Sequence, residues 1–277
     1  MSLSRMHNPD ILGLVAGDGV YPEYVIDGAR SLNPNIKIIG VGFKNETNPL
    51  VASLCDEYAE FAIGQLTKPF KFLQKYVVKD VMMAGGINPK NILTLRPDLR
   101  AVMALVRLPE RNADSLLGAV VDEAIKDGFH ILPASSFMEK HIPAPGLIAG
   151  PKPSANQEKD AEFGLSVAKQ ISEMHIGQSV VVGEGTVVAV EAIEGTSNCL
   201  KRAGELNYKQ RPLTLAKVPR QEHDMRFDIP TVGATTFEIC AASHVKQVVV
   251  EAHRCIILER EKVMELCKKH KITFRAI

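Results

Sequence analysis

The feature that most limits how this chain can fold is an alternation, in its first half, of short apolar runs with amphipathic stretches. Ile11–Ala16 is the first run; Gly17–Asp18–Gly19 follows, and Pro22–Glu23 opens a helical pattern that continues to about Leu32. The same reading predicts strands at Ile36–Val41, Phe61–Ile63, Val77–Ala84, Ala101–Val106 and Phe129–Ala134, with helices at Lys68–Lys75 and Asn112–Lys126. Parallel strands need a crossover, and a helix is the usual one, so this order predicts an α/β domain with a parallel, doubly wound sheet.

Such sheets bind ligands beyond the carboxyl ends of their strands. Two glycine turns stand at those ends here, Gly17–Asp18–Gly19 and Gly85–Gly86. Glycine lets the backbone approach an anion closely, and the following helix start offers free N–H groups and a positive dipole end. The first turn lacks the third glycine of a dinucleotide fingerprint. The strand after it runs into Gly42, Phe43, Lys44 and Asn45, with no acid for a ribose diol, which disfavours a nicotinamide-dependent oxidoreductase. Asp114 reads as a helix cap.

The sharpest change of composition is the proline- and glycine-rich segment from His141 to Ser154, read as an interdomain connection or a binding loop. Two domains are expected, residues 1–134 and 135–277. Lys152, held between prolines, is placed to reach a phosphate. A helix at about Asn156–Met174 leads to strands Ser179–Val182 and Thr186–Glu191 around the hairpin signal Gly183–Glu184–Gly185. Glu191 and Glu194 then meet Gly195–Thr196–Ser197 before a helix running to about Gly204. Both acids are candidates for a metal or hydroxyl contact, and Thr196 reads as that helix's cap. Strands at Val245–Val250 and Cys255–Leu258 and a helix at Arg260–Lys269 complete a mixed α/β second half.

One stretch carries unusual chemistry. Between Thr214 and Thr236, the charges Arg220, His223, Asp224, Arg226 and Asp228 crowd an otherwise apolar context. Asp224–Met225–Arg226–Phe227–Asp228–Ile229 alternates polar with apolar, the period of a half-buried strand that puts both aspartates and Arg226 on one face. Two carboxylates flanking an arginine suit a polyanionic substrate handled with a divalent metal such as Mg²⁺, with the arginine clamping a phosphate oxygen. On an extended strand Asp224 and Asp228 stand about 13 Å apart, so both ligate one ion only if the strand bends. The bland alternative is a solvated edge strand. A helix is expected to start at Gly233–Thr236.

The whole chain excludes several classes. A formal net charge of +1 over 277 residues gives no electrostatic case for nucleic acid. Five scattered cysteines without a Cys-x-x-Cys pair fit a reducing cytoplasm. No signal-peptide core and no run of about 20 apolar residues is present. A lipid substrate would be met from the water side, by a cytoplasmic protein in peripheral contact with the inner membrane surface.

Nearly end to end, the chain resembles the UDP-2,3-diacylglucosamine pyrophosphatases of the lipid A pathway, of the type unrelated to calcineurin-like metallophosphoesterases. The segments that carry the resemblance are LGLVAGDGVYP, VKDVMMAGG, DSLLGAVVDEAIKDGF, IGQSVVVGEGTVVAVEAIEGT and, most strongly, LAKVPRQEHDMRFDIPTVG. It departs from the family's usual pattern at Arg220–Gln221–Glu222–His223, where Lys-Pro-x-Gln is common. It departs again at Ser197, where Glu-Gly-Thr-Asp is common, and at Asn112–Ala113–Asp114, where Gly-Asp-Asp is common.

The resemblance implies a Rossmann-like N-terminal domain that receives UDP at Gly17, Asp18, Gly19, Gly85 and Gly86. It implies a C-terminal domain that holds the acyl-sugar phosphate, with a cleft between the two. Mg²⁺-dependent hydrolysis would give UMP and 2,3-diacylglucosamine 1-phosphate, with Asp228 as the essential aspartate and Asp224 and Arg226 beside it. Both aspartates are the expected metal ligands. Lys152, Glu194, Gly195, Thr196, Lys217 and Thr235 are the further expected substrate contacts. A homodimer is entertained as the assembly, and a nucleotide-sugar sensor that binds without turnover is the competing reading.

Overall fold

In the computed structural model the chain divides into two compact units, one ending at Met138 and the other beginning at Glu139. The structure describes residues 9–87, 97–108, 113–219 and 229–277.

The first unit is built on a five-stranded parallel sheet. Its strands are β1 (Ile11–Ala16), β2 (Lys37–Phe43), β3 (Glu57–Phe61), β4 (Asp80–Ala84) and β5 (His130–Ile131), in the order β3-β2-β1-β4-β5. Helices α1 (Tyr21–Leu32), α2 (Pro49–Leu54), α3 (Thr67–Lys75), α4 (Leu99–Val106) and α5 (Ala113–Lys126) supply the crossovers. Alternate residues of the strands serve opposite faces. Ile39, Val41 and Val81 pack with Phe70, Leu73, Val121 and Ala124 of α3 and α5. Leu12, Leu14 and Met82 are fully buried, as are Val25 and Ala29 of α1. The strand order reverses between β1 and β4, so the crevice beyond their carboxyl ends is the sheet's switch point.

One expectation fails here. Ala101–Val106 is not a strand but the body of α4, whose start is fixed by Asp98. One carboxylate oxygen accepts from Ala101 N at 2.9 Å; the other accepts from Leu66 N at 3.0 Å and Thr67 N at 2.8 Å at the head of α3. A single side chain thus caps two helices.

The second unit holds a six-stranded mixed sheet. Its strands are β6 (Gly146–Ala149), β7 (Ser179–Gly183), β8 (Thr186–Val190), β9 (Leu213–Lys217), β11 (Val245–Val250) and β13 (Thr273–Ala276), in the order β6-β13-β11-β9-β7-β8. Strands β13, β11 and β9 are mutually parallel; β6 and β7 run against them, and β8, antiparallel to β7, closes the sheet in their direction. A separate parallel pair joins β10 (Thr231–Val232) to β12 (Ile256–Ile257). Helix α6 (Ala155–Glu173), started by a capping box between Ser154 and Gln157, covers one face through Ala161, Ala168 and Ile171 against Val180, Val182 and Ala216. Helices α7 (Gly195–Leu206), α8 (Ala234–Ala242) and α9 (Arg260–His270) cover the other face. There Phe237 stacks edge-on with Phe274 at 4.9 Å over Val181, Leu215 and Val248.

Among the described residues no helix is long and apolar enough to cross a membrane.

Candidate functional site

In the first unit, the two glycine turns meet at the switch point. Gly17 N donates to Ala84 O at 2.8 Å, Asp18 N to Gly86 O at 2.7 Å, and Gly86 N returns to Asp18 O at 3.1 Å. Gly17 has no room for a side chain, since a Cβ there would sit 2.2 Å from the Gly86 carbonyl oxygen. Gly85, at φ +94°, lies in the left-handed region and is equally hemmed, with Asp18 O 2.6 Å from its notional Cβ. The Asp18 carboxylate turns back to accept from Gly19 N at 2.7 Å. Next to this, the Thr47 hydroxyl donates to Ala16 O and accepts from Phe43 N, lashing the ends of β1 and β2 together. Because β2 runs on to Phe43, Glu46 falls in the turn just past it and is buried at 7% exposure. The sequence reading stopped that strand at Val41 and found no acid there. An acid therefore does follow β2, and its expected absence no longer argues against a ribose-diol contact at this end of the sheet.

In the second unit, the expected contacts Glu194, Gly195, Thr196 and Lys217 gather where the ends of β7, β8 and β9 meet the start of α7. Ser179 opens β7 directly opposite Lys217, the last residue of β9. Lys217 Nζ donates to Thr196 Oγ1 at 3.1 Å, and that hydroxyl donates to Glu191 Oε1 at 2.9 Å with Ser179 Oγ at 3.4 Å. Thr196 is therefore not the helix cap; Glu194 stands at that position, and Gly195 enters α7 at φ +78°. The Glu194 carboxylate is paired with Arg202, which holds it below the usual carboxylate range, and it also accepts from Ala192 N at 3.1 Å. Glu194 is thus occupied within its own turn. Lys152 lies exposed beyond β6, in a loop pinned by the Thr273 hydroxyl to Pro151 O at 3.0 Å. Thr235 is exposed in the first turn of α8. Among the described residues, no hydrogen bond joins Lys152 or Thr235 to the Lys217 group.

Asp224, Arg226 and Asp228, with Arg220 and His223, lie outside the described residues, as does the side chain of Asp114. Among the described residues no three His, Cys, Asp or Glu side chains cluster to hold a metal. Glu191, a candidate for a metal or hydroxyl contact, takes the hydroxyl of Thr196. Its second oxygen, Oε2, is buried without a hydrogen-bond partner, and the registers of β7 against β8 and against β9 bring it and Ser179 to Lys217. Burial pushes up all five thiols, those of Cys199 and Cys255 to about 12, so none is primed as a thiolate nucleophile.

This arrangement can do two things. The glycine turns can seat an anion at a switch point, and Lys217 with the α7 start can meet a second phosphate. Comparison with known proteins names the chemistry. The LpxI N-terminal domain family matches residues 11–141, and the LpxI C-terminal domain family matches residues 144–275. The chain belongs to the LpxI family. It is 31% identical over 264 residues, 91% of this chain and 92% of the other, to UDP-2,3-diacylglucosamine pyrophosphatase LpxI of Caulobacter vibrioides. The resemblance seen in the sequence is thereby established at the level of family.

Proposed function

We propose that this chain hydrolyses the pyrophosphate bond of UDP-2,3-diacylglucosamine, giving UMP and 2,3-diacylglucosamine 1-phosphate for lipid A synthesis in a Mg²⁺-dependent reaction. The observation that carries the reading is the match to a pyrophosphatase of that name over nine-tenths of both chains. The two turn geometries support it. The Gly17–Gly19 and Gly85–Gly86 turns receive the UMP-side phosphate, while Lys217 and the Gly195 helix start receive the sugar-side phosphate.

A pyrophosphate repels nucleophiles with its own charge, so the work is neutralisation and positioning. No three carboxylate, imidazole or thiol side chains cluster among the described residues, but Mg²⁺ needs only one or two carboxylates beside phosphate oxygens and water. Asp224 and Asp228 would hold it, and it supplies charge neutralisation when bound. Arg226 takes the charge that develops on the phosphate, and Lys217 adds to it. The lipid is met from the water side of the inner membrane.

The test is mass spectrometry of products formed in ¹⁸O water with UDP-2,3-diacylglucosamine and Mg²⁺, beside a chelated control. Label in 2,3-diacylglucosamine 1-phosphate is the expected result and places attack at the sugar-side phosphorus. Label in UMP overturns that regiochemistry. Intact substrate alongside demonstrated binding replaces the hydrolase with a nucleotide-sugar sensor.

A further inference from the structure

We infer that Glu191 is a positioning residue, aiming the Lys217 ammonium through the hydroxyl of Thr196. The task given to Lys217 rests on the hydrolase reading above; the arrangement itself does not. A threonine hydroxyl has one proton to give, and a lysine ammonium can only donate. With Lys217 Nζ at 3.1 Å and Glu191 Oε1 at 2.9 Å from Thr196 Oγ1, the proton must go to the carboxylate and the lysine must give one of its own. Ser179 Oγ, at 3.4 Å, faces what remains of the oxygen. The Thr196 hydroxyl is consumed inside the protein, which leaves the half-buried Lys217, with further N–H groups to offer, as the donor of the group.

Glu191 itself faces inward. Its Oε2 is buried and has no hydrogen-bond partner, so a substrate cannot reach it. Gly177 packs against the same residue, where a Cβ would meet the Glu191 carbonyl oxygen at 2.1 Å. Glu191 N is tied to Ser179 O at 2.9 Å, so its backbone is fixed to the strand that opens opposite Lys217. A buried carboxylate oxygen left without a donor is costly. Here the carboxylate sits two hydrogen bonds from an ammonium, where its charge and its single bond to Thr196 set the direction of that cation.

Two readouts on the full chain test this. In the first, reductive methylation of Lys217 is followed by peptide mass spectrometry in wild type, T196V, T196S and E191Q. Release of the ammonium should raise modification in T196V and E191Q and leave T196S near wild type. In the second, UMP release is measured in the same proteins and in K217M and E191Q/K217M. T196V and E191Q should each lower kcat about tenfold with KM little changed, and T196S should recover most of the rate. Adding E191Q to K217M should cost nothing further.

Lys217 modification that stays at the wild-type rate in both T196V and E191Q overturns the inference. So does an E191Q loss of equal size in the presence and absence of Lys217. A wild-type chain that releases no UMP refutes the hydrolase reading alone, and the methylation result still decides the role of Glu191.

Discussion

Substituting alanine at two glycines of the same turn pair separates what the fold needs from what a ligand needs. At Gly17 an added Cβ would stand 2.2 Å from Gly86 O and 2.9 Å from Gly85 C, both backbone atoms locked by the Gly17–Ala84 and Asp18–Gly86 hydrogen bonds. Nothing flexible is available to give way, so Gly17→Ala falls at the upper end of overpacking costs, about 3 kcal/mol. For a unit of this size that lowers the melting temperature by about 10 °C. At Gly86 a Cβ meets nothing within 4 Å, and φ is outside the left-handed region. Folding therefore has no use for glycine there, and Gly86→Ala should be neutral or stabilising by less than about 1 kcal/mol. If the UDP phosphates approach this backbone, however, the same methyl group intrudes on them, and UDP affinity should fall about tenfold, or about 1.4 kcal/mol. Urea denaturation and isothermal titration with UDP read the two effects separately. A Gly17→Ala chain as stable as wild type would refute the clamped turn, and a Gly86→Ala chain that binds UDP normally would move the phosphate site elsewhere.

Asp228→Ala should abolish UMP release while leaving melting temperature and UDP affinity unchanged; retained turnover removes this aspartate from the mechanism. Chelation with EDTA should stop UMP release and added Mg²⁺ should restore it, whereas full activity in EDTA would show that the metal is dispensable. Asp98→Ala should cost about 1–2 kcal/mol, since it uncaps α3 and α4 together, measured by urea denaturation. Burial works to raise the Asp98 carboxyl, but the N–H donors of Ala101, Thr67 and Leu66 outweigh it and leave the group below its usual value. Its stabilisation is therefore complete above the ordinary carboxylate range near about 4 and is lost as pH falls through the lower folded value. Asp98→Asn should flatten that part of the acid limb of the stability curve. Phe237→Ala, at a fully buried position against Phe274, should cost about 3–5 kcal/mol, and a loss under about 1 kcal/mol would mean that the second unit's core is not packed as described.

The strands that the sequence made plain are those buried on both faces around a run of valines, as in Val248–Val250 and Val180–Val182. Two readings went astray for physical reasons. Ala101–Val106 is an apolar run without polar relief, which resembles a buried strand, yet Leu99, Val102, Met103 and Val106 are exposed at helical spacing. The deciding signal was Asp98, just outside the run. Glu57–Phe61 was placed late because it is an edge strand, paired only with β2, and its charges show as little strand character as a loop. At the candidate site the same division holds. Glycines at strand ends are visible locally, but that Asp18 and Gly86 bond to each other depends on β1 and β4 being neighbours, a fact of strand order. Thr196 looked like a cap because threonine before a helix usually is one, and a carboxylate five residues earlier took its proton instead. Glu191, Ser179 and Lys217 become one group through the registers of β7 against β8 and against β9, and the second of these no local pattern encodes. The acids and arginine from Asp224 to Asp228 raise the expectation of phosphate chemistry by composition alone, whereas the buried carboxylate that aims Lys217 has its meaning only after the sheet has assembled.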